Sequence, residues 1–363
     1  MRDIAQAAGV SKATVSRVLS RGSSPVPISP ATQDRVRQAA AVLDYQPHAA
    51  ARALGLQRTE QVAVVIPAAA GANHAYHRFS HLKISEVLSG IDRVTTARGY
   101  NVILQITTGD PFADPRHARV WKNRSVDGVI WFAQPLDQKL ESLPCPVVAI
   151  NAAPVDSLPV STVNADNYAG SRFALLHLQR LGHVQVAHIA GPPSTWNAAE
   201  RLRAYLDVAR EAGLEPVIEQ ADSFEASGAA AIKRLLRRQT PPTAVFASGD
   251  LVAIGALGEL RAQGVRVPED VAVIGSDGVE FGRYTTPVLS TVGMLMFETA
   301  RRAAELLLDT VEGALSGVHH VTTPSEFSIG QSCGYRLDHP EAPLDLRLDG
   351  NQRPLEYGGV QAP

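Results

Sequence analysis

Ser11-Lys12-Ala13-Thr14-Val15-Ser16-Arg17 is the stretch whose residue types and spacing point most sharply to chemistry. Val15, Val18 and Leu19 fall at i, i+3 and i+4, so a helix here buries one apolar stripe. Lys12, Ala13, Ser16 and Arg17 then point outward near the helix N-terminus. In a helix-turn-helix protein that end enters the major groove of duplex DNA. There Arg17 can grip guanine O6 and N7 with paired hydrogen bonds, Lys12 can donate to the same acceptors, and Ala13 can touch a thymine methyl. Ser11, Thr14 and Ser16 suit phosphate oxygens, helped by the helix N-terminus. Without DNA, the same residues would form the polar face of an ordinary helical hairpin.

Short helices must position this face. Residues 3–8 read as a helix stopped by Gly9, and Ser11 caps the next one. Ser29 caps a third, with Pro30 at its first position, where the missing N–H costs nothing. Val36, Ala39, Ala40 and Leu43 give that third helix an apolar face. Two helices joined by a short turn around a glycine make a helix-turn-helix. Residues 1–59 hold eight lysines and arginines against three acids, although the chain as a whole carries −2. A basic head on an acidic body suits a polyanionic partner, where a solvated charged surface is the plainer alternative.

Beyond the head, Tyr45-Gln46-Pro47 breaks the third helix and His48 to Leu54 reads as a short helix closed by Gly55. So short a helix is marginal alone in water. Residues 55–61 read as a linker. Apolar strands are then expected at 62–66, 102–106, 128–132, 147–151, 186–190, 244–247 and 271–275. Helices are expected near 84–98, 113–123, 167–181, 198–212, 226–238, 250–263 and 297–313. This alternation implies a doubly wound parallel sheet. Its length exceeds one core, so two similar lobes with a cleft between them are expected. The last residues, rich in Pro, Asp, Arg and Gly, read as a disordered tail over 335–363.

Residues 3–19 resemble the head of the LacI/GalR family of bacterial transcription regulators, and Tyr45 to Leu54 resembles that family's hinge. Asp166-Asn167-Tyr168-Ala169-Gly170, Leu181-Gly182-His183, Ala187-His188-Ile189-Ala190-Gly191-Pro192 and Val267-Pro268-Glu269-Asp270-Val271 continue the likeness in order. The resemblance spans residues 2–334. It implies that Lys12, Ala13 and Arg17 read operator bases and that the hinge residues His48, Ala51 and Leu54 meet the minor groove. Leu54 is an apolar wedge able to unstack a base step, and Ala49, Ala50 and Ala53 let two hinge helices approach closely.

In the cleft, the resemblance maps effector binding onto Arg201 and Asp277. Asp250, Asn151 and Trp196 are expected to line the same crevice at strand C-terminal ends, with Trp196 able to stack on a sugar face. Plainer roles are a helix cap for Asp250, surface packing for Trp196 and an ion pair on the helix surface for Arg201. The chain departs from the family at Gly249, Gly278 and Met294, which removes hydroxyl-binding groups. Lys83 falls at the first cleft helix, where a cation would suit an acidic or phosphorylated ligand, unless it snorkels outward. A long loop before it carries His74, His77 and His81 with no carboxylate or cysteine to complete a metal set, so it reads as a polar loop.

Enzyme signatures are thin. Gly330-Gln331-Ser332-Cys333-Gly334 fits G-x-S-x-G but lacks the strand–helix context and the distant acid and histidine that a nucleophile elbow needs. Cys145 and Cys333 are the only cysteines, which excludes a disulfide framework. No apolar run is long enough to span a bilayer, and the first residues lack a secretory signal's apolar stretch. The sequence therefore reads as an N-terminal all-α helix-turn-helix head (1–47), a hinge helix and linker (48–61) and an α/β two-lobed, periplasmic-binding-protein-like domain (62–334). Lobe 1 is expected over about 62–160 and 291–320, and lobe 2 over about 161–290 and 321–334. The expected function is a cytoplasmic, homodimeric repressor without cofactor or metal. Its partners would be double-stranded operator DNA and a carbohydrate-like effector, and no membrane. The alternative is a solute-binding protein with no DNA role.

Overall fold

The computed structural model describes residues 1–19, 28–45, 58–67, 83–107, 110–133, 135–335 and 347–348. The turn at 20–27, the hinge with His48, Ala51 and Leu54, the loop with His74, His77 and His81, and most of the tail lie outside the described residues.

The head is three helices, α1 (Arg2–Ala8), α2 (Lys12–Leu19) and α3 (Pro30–Val42). Gly9 ends α1 in the left-handed conformation (φ 64°), which a glycine adopts without steric cost. The Ser11 hydroxyl accepts from Thr14 N at 3.1 Å, and the Ser29 hydroxyl accepts from Thr32 N at 3.4 Å, so both caps form as their residue types dictate. Ile4, Val15 and Val36 meet in a small core with Ala5, Ala8 and Ala40. Leu43, expected on the buried face of α3, is instead exposed at the C-cap position that follows Val42.

Residues 58–60, part of the expected linker, are seated on the body. The Asp127 carboxylate accepts from Thr59 N, the Thr59 hydroxyl and Glu60 N at 2.8–3.0 Å, and Arg58 donates to Val311 O.

The body holds two sheets. The first has strand order β11-β5-β4-β3-β1-β2. It comprises β1 (Gln61–Pro67), β2 (Asn101–Thr107), β3 (Gly128–Phe132), β4 (Val147–Ile150), β5 (Val160–Ala165) and β11 (His320–Thr323), all parallel. Side chains alternate across it: Val62, Val64 and Ile66 of β1 pack under α4 (Lys83–Ala97) and α10 (Met296–Val311), while Ala63 and Val65 face Trp121 on α5 (Pro115–Lys122). The second sheet has order β13-β12-β10-β9-β8-β6-β7. Its strands are β6 (Val186–Ala190), β7 (Val217–Gln220), β8 (Ala244–Ala247), β9 (Ala272–Asp277), β10 (Ser290–Gly293), β12 (Glu326–Ser328) and β13 (Arg347–Leu348). It is covered on one face by α6 (Asn167–Arg180) and α7 (Trp196–Glu211), and on the other by α8 (Glu225–Leu236) and α9 (Asp250–Ala262).

The chain passes between the sheets after β5, β10 and β11. These crossings fall a few residues beyond the expected lobe borders, because β5 and β11 still belong to sheet one and β10 to sheet two. The tail expected to lack structure supplies β13, in which Arg347 and Leu348 pair antiparallel with Ser328 and Phe327. Among the described residues no helix is long and apolar enough to cross a membrane.

Candidate functional site

The first site is the outer face of α2. Val15 is fully buried and fixes the helix rotation, and Ser11, Lys12, Ala13, Ser16 and Arg17 are all exposed. Thr14 is half-buried, and its hydroxyl bonds that of Ser11 at 3.0 Å. The expected base-reading residues therefore stand together on one solvent-facing side, beside the helix N-terminus.

The second site lies where strand ends of the two lobes face each other. From lobe 2, α7 presents Arg201, only 3% exposed. Its guanidinium makes four contacts: Nε donates to Asn167 Oδ1 at 3.0 Å, Nη1 to Ser248 O, and Nη2 to Asp277 Oδ1 at 3.1 Å and to the Met294 sulfur. Asp277 closes β9, and its second carboxylate oxygen accepts from Asp250 N at 3.3 Å. From lobe 1, the Lys83 ammonium opens α4 and forms a direct ion pair with Asp277 Oδ1. Asp277 thus carries two buried cations, one from each lobe. Lys83 does not snorkel outward; it is 7% exposed. Burial pulls its ammonium below the usual lysine range, against the pull of Asp277. Burial likewise raises the half-buried Glu86 carboxyl on the same helix.

Asp250 departs from its expected place in the crevice. It is fully buried at the first position of α9, where Gly249, not Asp250, is the cap. Its oxygens accept from Val279 N at 2.8 Å and the Thr291 hydroxyl at 2.5 Å, bracing the turn that follows Asp277. Burial and the nearby Asp277 raise its carboxyl well above the usual range. Asn151 ends β4 one residue earlier than expected, because it takes a left-handed conformation (φ 56°) that asparagine tolerates better than most residues. Its Nδ2 faces the Met296 sulfur, and its buried Oδ1 has no hydrogen-bond partner among the described residues. Trp196 is half-buried at the first position of α7, on a different helical face from Asn197 and Arg201.

One of the two glycine departures has a structural reason. Gly278 has φ +75°, and a Cβ there would come within 2.5 Å of the Gly293 Cα, so no aspartate fits. Met294 is fully buried with its sulfur beside Arg201 and Asn197. Sequence reasoning gave no role to Asn167 or Ser248, which hold Arg201, or to Asp127, which holds the linker. Asn167 fell inside a quoted motif; a backbone carbonyl such as that of Ser248 leaves no residue-type signal.

The G-x-S-x-G serine is no nucleophile. Ser332 is fully buried, accepts from Ser290 N at 2.9 Å and donates to Val273 O at 2.6 Å. Among the described residues no cluster of three metal-ligating side chains occurs.

Comparison with known proteins adds three kinds of finding. Residues 1–48 match the family model for bacterial regulatory proteins, lacI family, and residues 175–333 match that for a periplasmic binding protein-like domain. The HTH-type transcriptional repressor CytR of Escherichia coli (strain K12) is 31% identical over 321 residues, covering 86% of this chain and 90% of that protein. The HTH-type transcriptional regulator CelR of Thermobifida fusca is 34% identical over 319 residues, covering 85% and 91%. Among solved structures, a CelR–cellobiose complex superposes with TM-score 0.69 at 31% identity, covering 91% of this chain and 98% of that one.

Proposed function

Because the chain belongs to the lacI family of bacterial regulatory proteins, DNA-binding transcriptional regulators rather than enzymes, we propose that it is a repressor whose α2 reads operator bases and whose cleft binds the controlling small molecule. The observation that carries this reading is the α2 surface: Lys12, Ala13, Ser16 and Arg17 exposed together over a Val15 locked in the core. Lys12, Ala13 and Arg17 contact base edges, and Ser11, Thr14 and Ser16 contact phosphates. His48, Ala51 and Leu54 of the hinge enter the minor groove. Two heads of a homodimer bind a pseudo-palindromic operator in the cytoplasm.

The effector is carbohydrate-like and carries an acidic group. Arg201 and Asp277 take its hydroxyls, Lys83 its anion, and the orphan Oδ1 of Asn151 accepts another hydroxyl. Trp196 flanks the sugar. Asp250 acts from beneath by holding the backbone after Asp277. Because Asp127 ties residues 59–60 to lobe 1, any shift of lobe 1 against lobe 2 moves the point from which the chain leaves for the head. That is the physical route from cleft to DNA, and it works only if the ligand binds one lobe arrangement better than the other. A solute-binding protein alone would leave the exposed basic head without a role.

The test is selection of genomic fragments by the purified full chain, followed by gel shifts with and without a panel of sugars, sugar acids and sugar phosphates. The expected result is one or a few pseudo-palindromic fragments bound at least ~1,000-fold tighter than random DNA, with one panel member changing that affinity. Equal affinity for all fragments would overturn the reading.

A further inference from the structure

Resting on the carbohydrate-like reading of the cleft, we propose that Lys83 is the cleft's own occupant: its ammonium holds Asp277 from the opposite lobe when no small molecule is present, and an effector enters by giving Lys83 an anion in exchange for Asp277.

The geometry behind this is a division of labour around one carboxylate. Arg201 belongs to the same lobe as Asp277 and is held by Asn167 and Ser248 of that lobe, so its pairing with Asp277 does not cross the cleft. Lys83 sits on α4, whose apolar face, through Ile84, Val87 and Ile91, is packed into lobe 1. Its bond to Asp277 is therefore an interlobe tie made by the protein itself. Both side chains are at least nine-tenths buried, at 9% and 8% side-chain exposure. A ligand hydroxyl that takes Asp277 away leaves a buried ammonium without a partner, which is costly. A neutral sugar cannot repair that loss, whereas a carboxylate or phosphate on the same sugar can, with charge-assisted hydrogen bonds to Nζ. Lys83 then acts as a specificity-determining residue: it ties the lobes across the cleft and admits ligands that bring their own negative charge.

Two measurements on the full-length chain test this, with wild type, Lys83→Met and Lys83→Arg. The first needs no ligand. Spin labels on Arg116→Cys and Ala226→Cys, exposed at helix starts on the two lobes, report the interlobe distance in a Cys145→Ser background. Wild type and Lys83→Arg should give one short distance, and Lys83→Met a longer or broader distribution. Equal distributions for wild type and Lys83→Met overturn the tie. The second compares dissociation constants for glucose, ribose and cellobiose with those for gluconate, glucose 6-phosphate, ribose 5-phosphate and cellobionate. In wild type and Lys83→Arg the anionic member that binds should be favoured over its neutral parent by about 100-fold or more. In Lys83→Met that ratio should collapse to a few-fold. An unchanged ratio overturns the exchange. If Lys83→Met opens but no sugar binds either protein, the tie stands and the carbohydrate reading fails. The carboxylate and phosphate arms show which anion fits.

Discussion

Replacing Asp277 by alanine should destabilise the two-lobed body by about 3–5 kcal/mol, because it removes the anion shared by two buried cations. Lys83 and Arg201 have side chains 9% and 3% exposed, so water cannot take over the lost partner. For a body of this size the melting temperature should fall by on the order of 10 °C. Asp277→Asn keeps the shape and can still accept from Asp250 N, so it isolates the charge effect. The deficit should also depend on pH. Burial already depresses the Lys83 pKa, and without Asp277 the opposing pull is gone. A lysine whose folded pKa lies below its unfolded value takes up a proton on unfolding, so stability rises with pH across that interval. Urea unfolding near neutrality and in mild alkali should show the gap to wild type narrowing as pH increases. A widening gap, or a loss under 1 kcal/mol, would mean that Asp277 does not hold the two cations.

Arg17→Ala should weaken operator binding by roughly 1–3 kcal/mol, between about fivefold and 150-fold. The residue is exposed on α2, and its removal leaves Val15 and the head core untouched, so the variant should fold normally. The diagnostic is selectivity. Loss of a bidentate base contact lowers affinity for the operator much more than for scrambled DNA and relaxes preference at one base pair. Anisotropy titrations on both duplexes at one fixed salt concentration separate this from a phosphate contact, which would weaken both duplexes equally.

The parts legible in the sequence were those with a strong local signal. The head helices followed from caps and breakers at Gly9, Ser11, Ser29 and Pro30, and the expected strands at 62–66, 128–132, 186–190 and 244–247 were apolar runs buried on both faces. The strands that were missed lacked that signature. β5 reads Val-Ser-Thr-Val-Asn-Ala, yet it is buried throughout, with Asn164 bonding Ala152 through both ends of its amide. β10 hides Ser290 and Thr291 because their hydroxyls are spent on Gly330 N and Asp250. β7 and β11 lie at sheet edges and are only partly covered. In the cleft, Arg201 and Asp277 came from family likeness, and Lys83 from its cationic type at a cleft helix. Its pairing with Asp277 could not be foreseen, because nothing local relates residue 83 to residue 277. Asp250 was misplaced for a similar reason: its two hydrogen bonds, to Val279 and Thr291, come from the turn after β9 and from β10.

The most direct test is thermodynamic reciprocity. Operator affinity of the full chain should be measured with and without the small molecule that binds the cleft, and affinity for that molecule with and without operator. If cleft and head are coupled through the lobes, the two ratios must be the same, in a range of about 5–150-fold. Tight binding of both partners with neither altering the other's affinity would contradict the account.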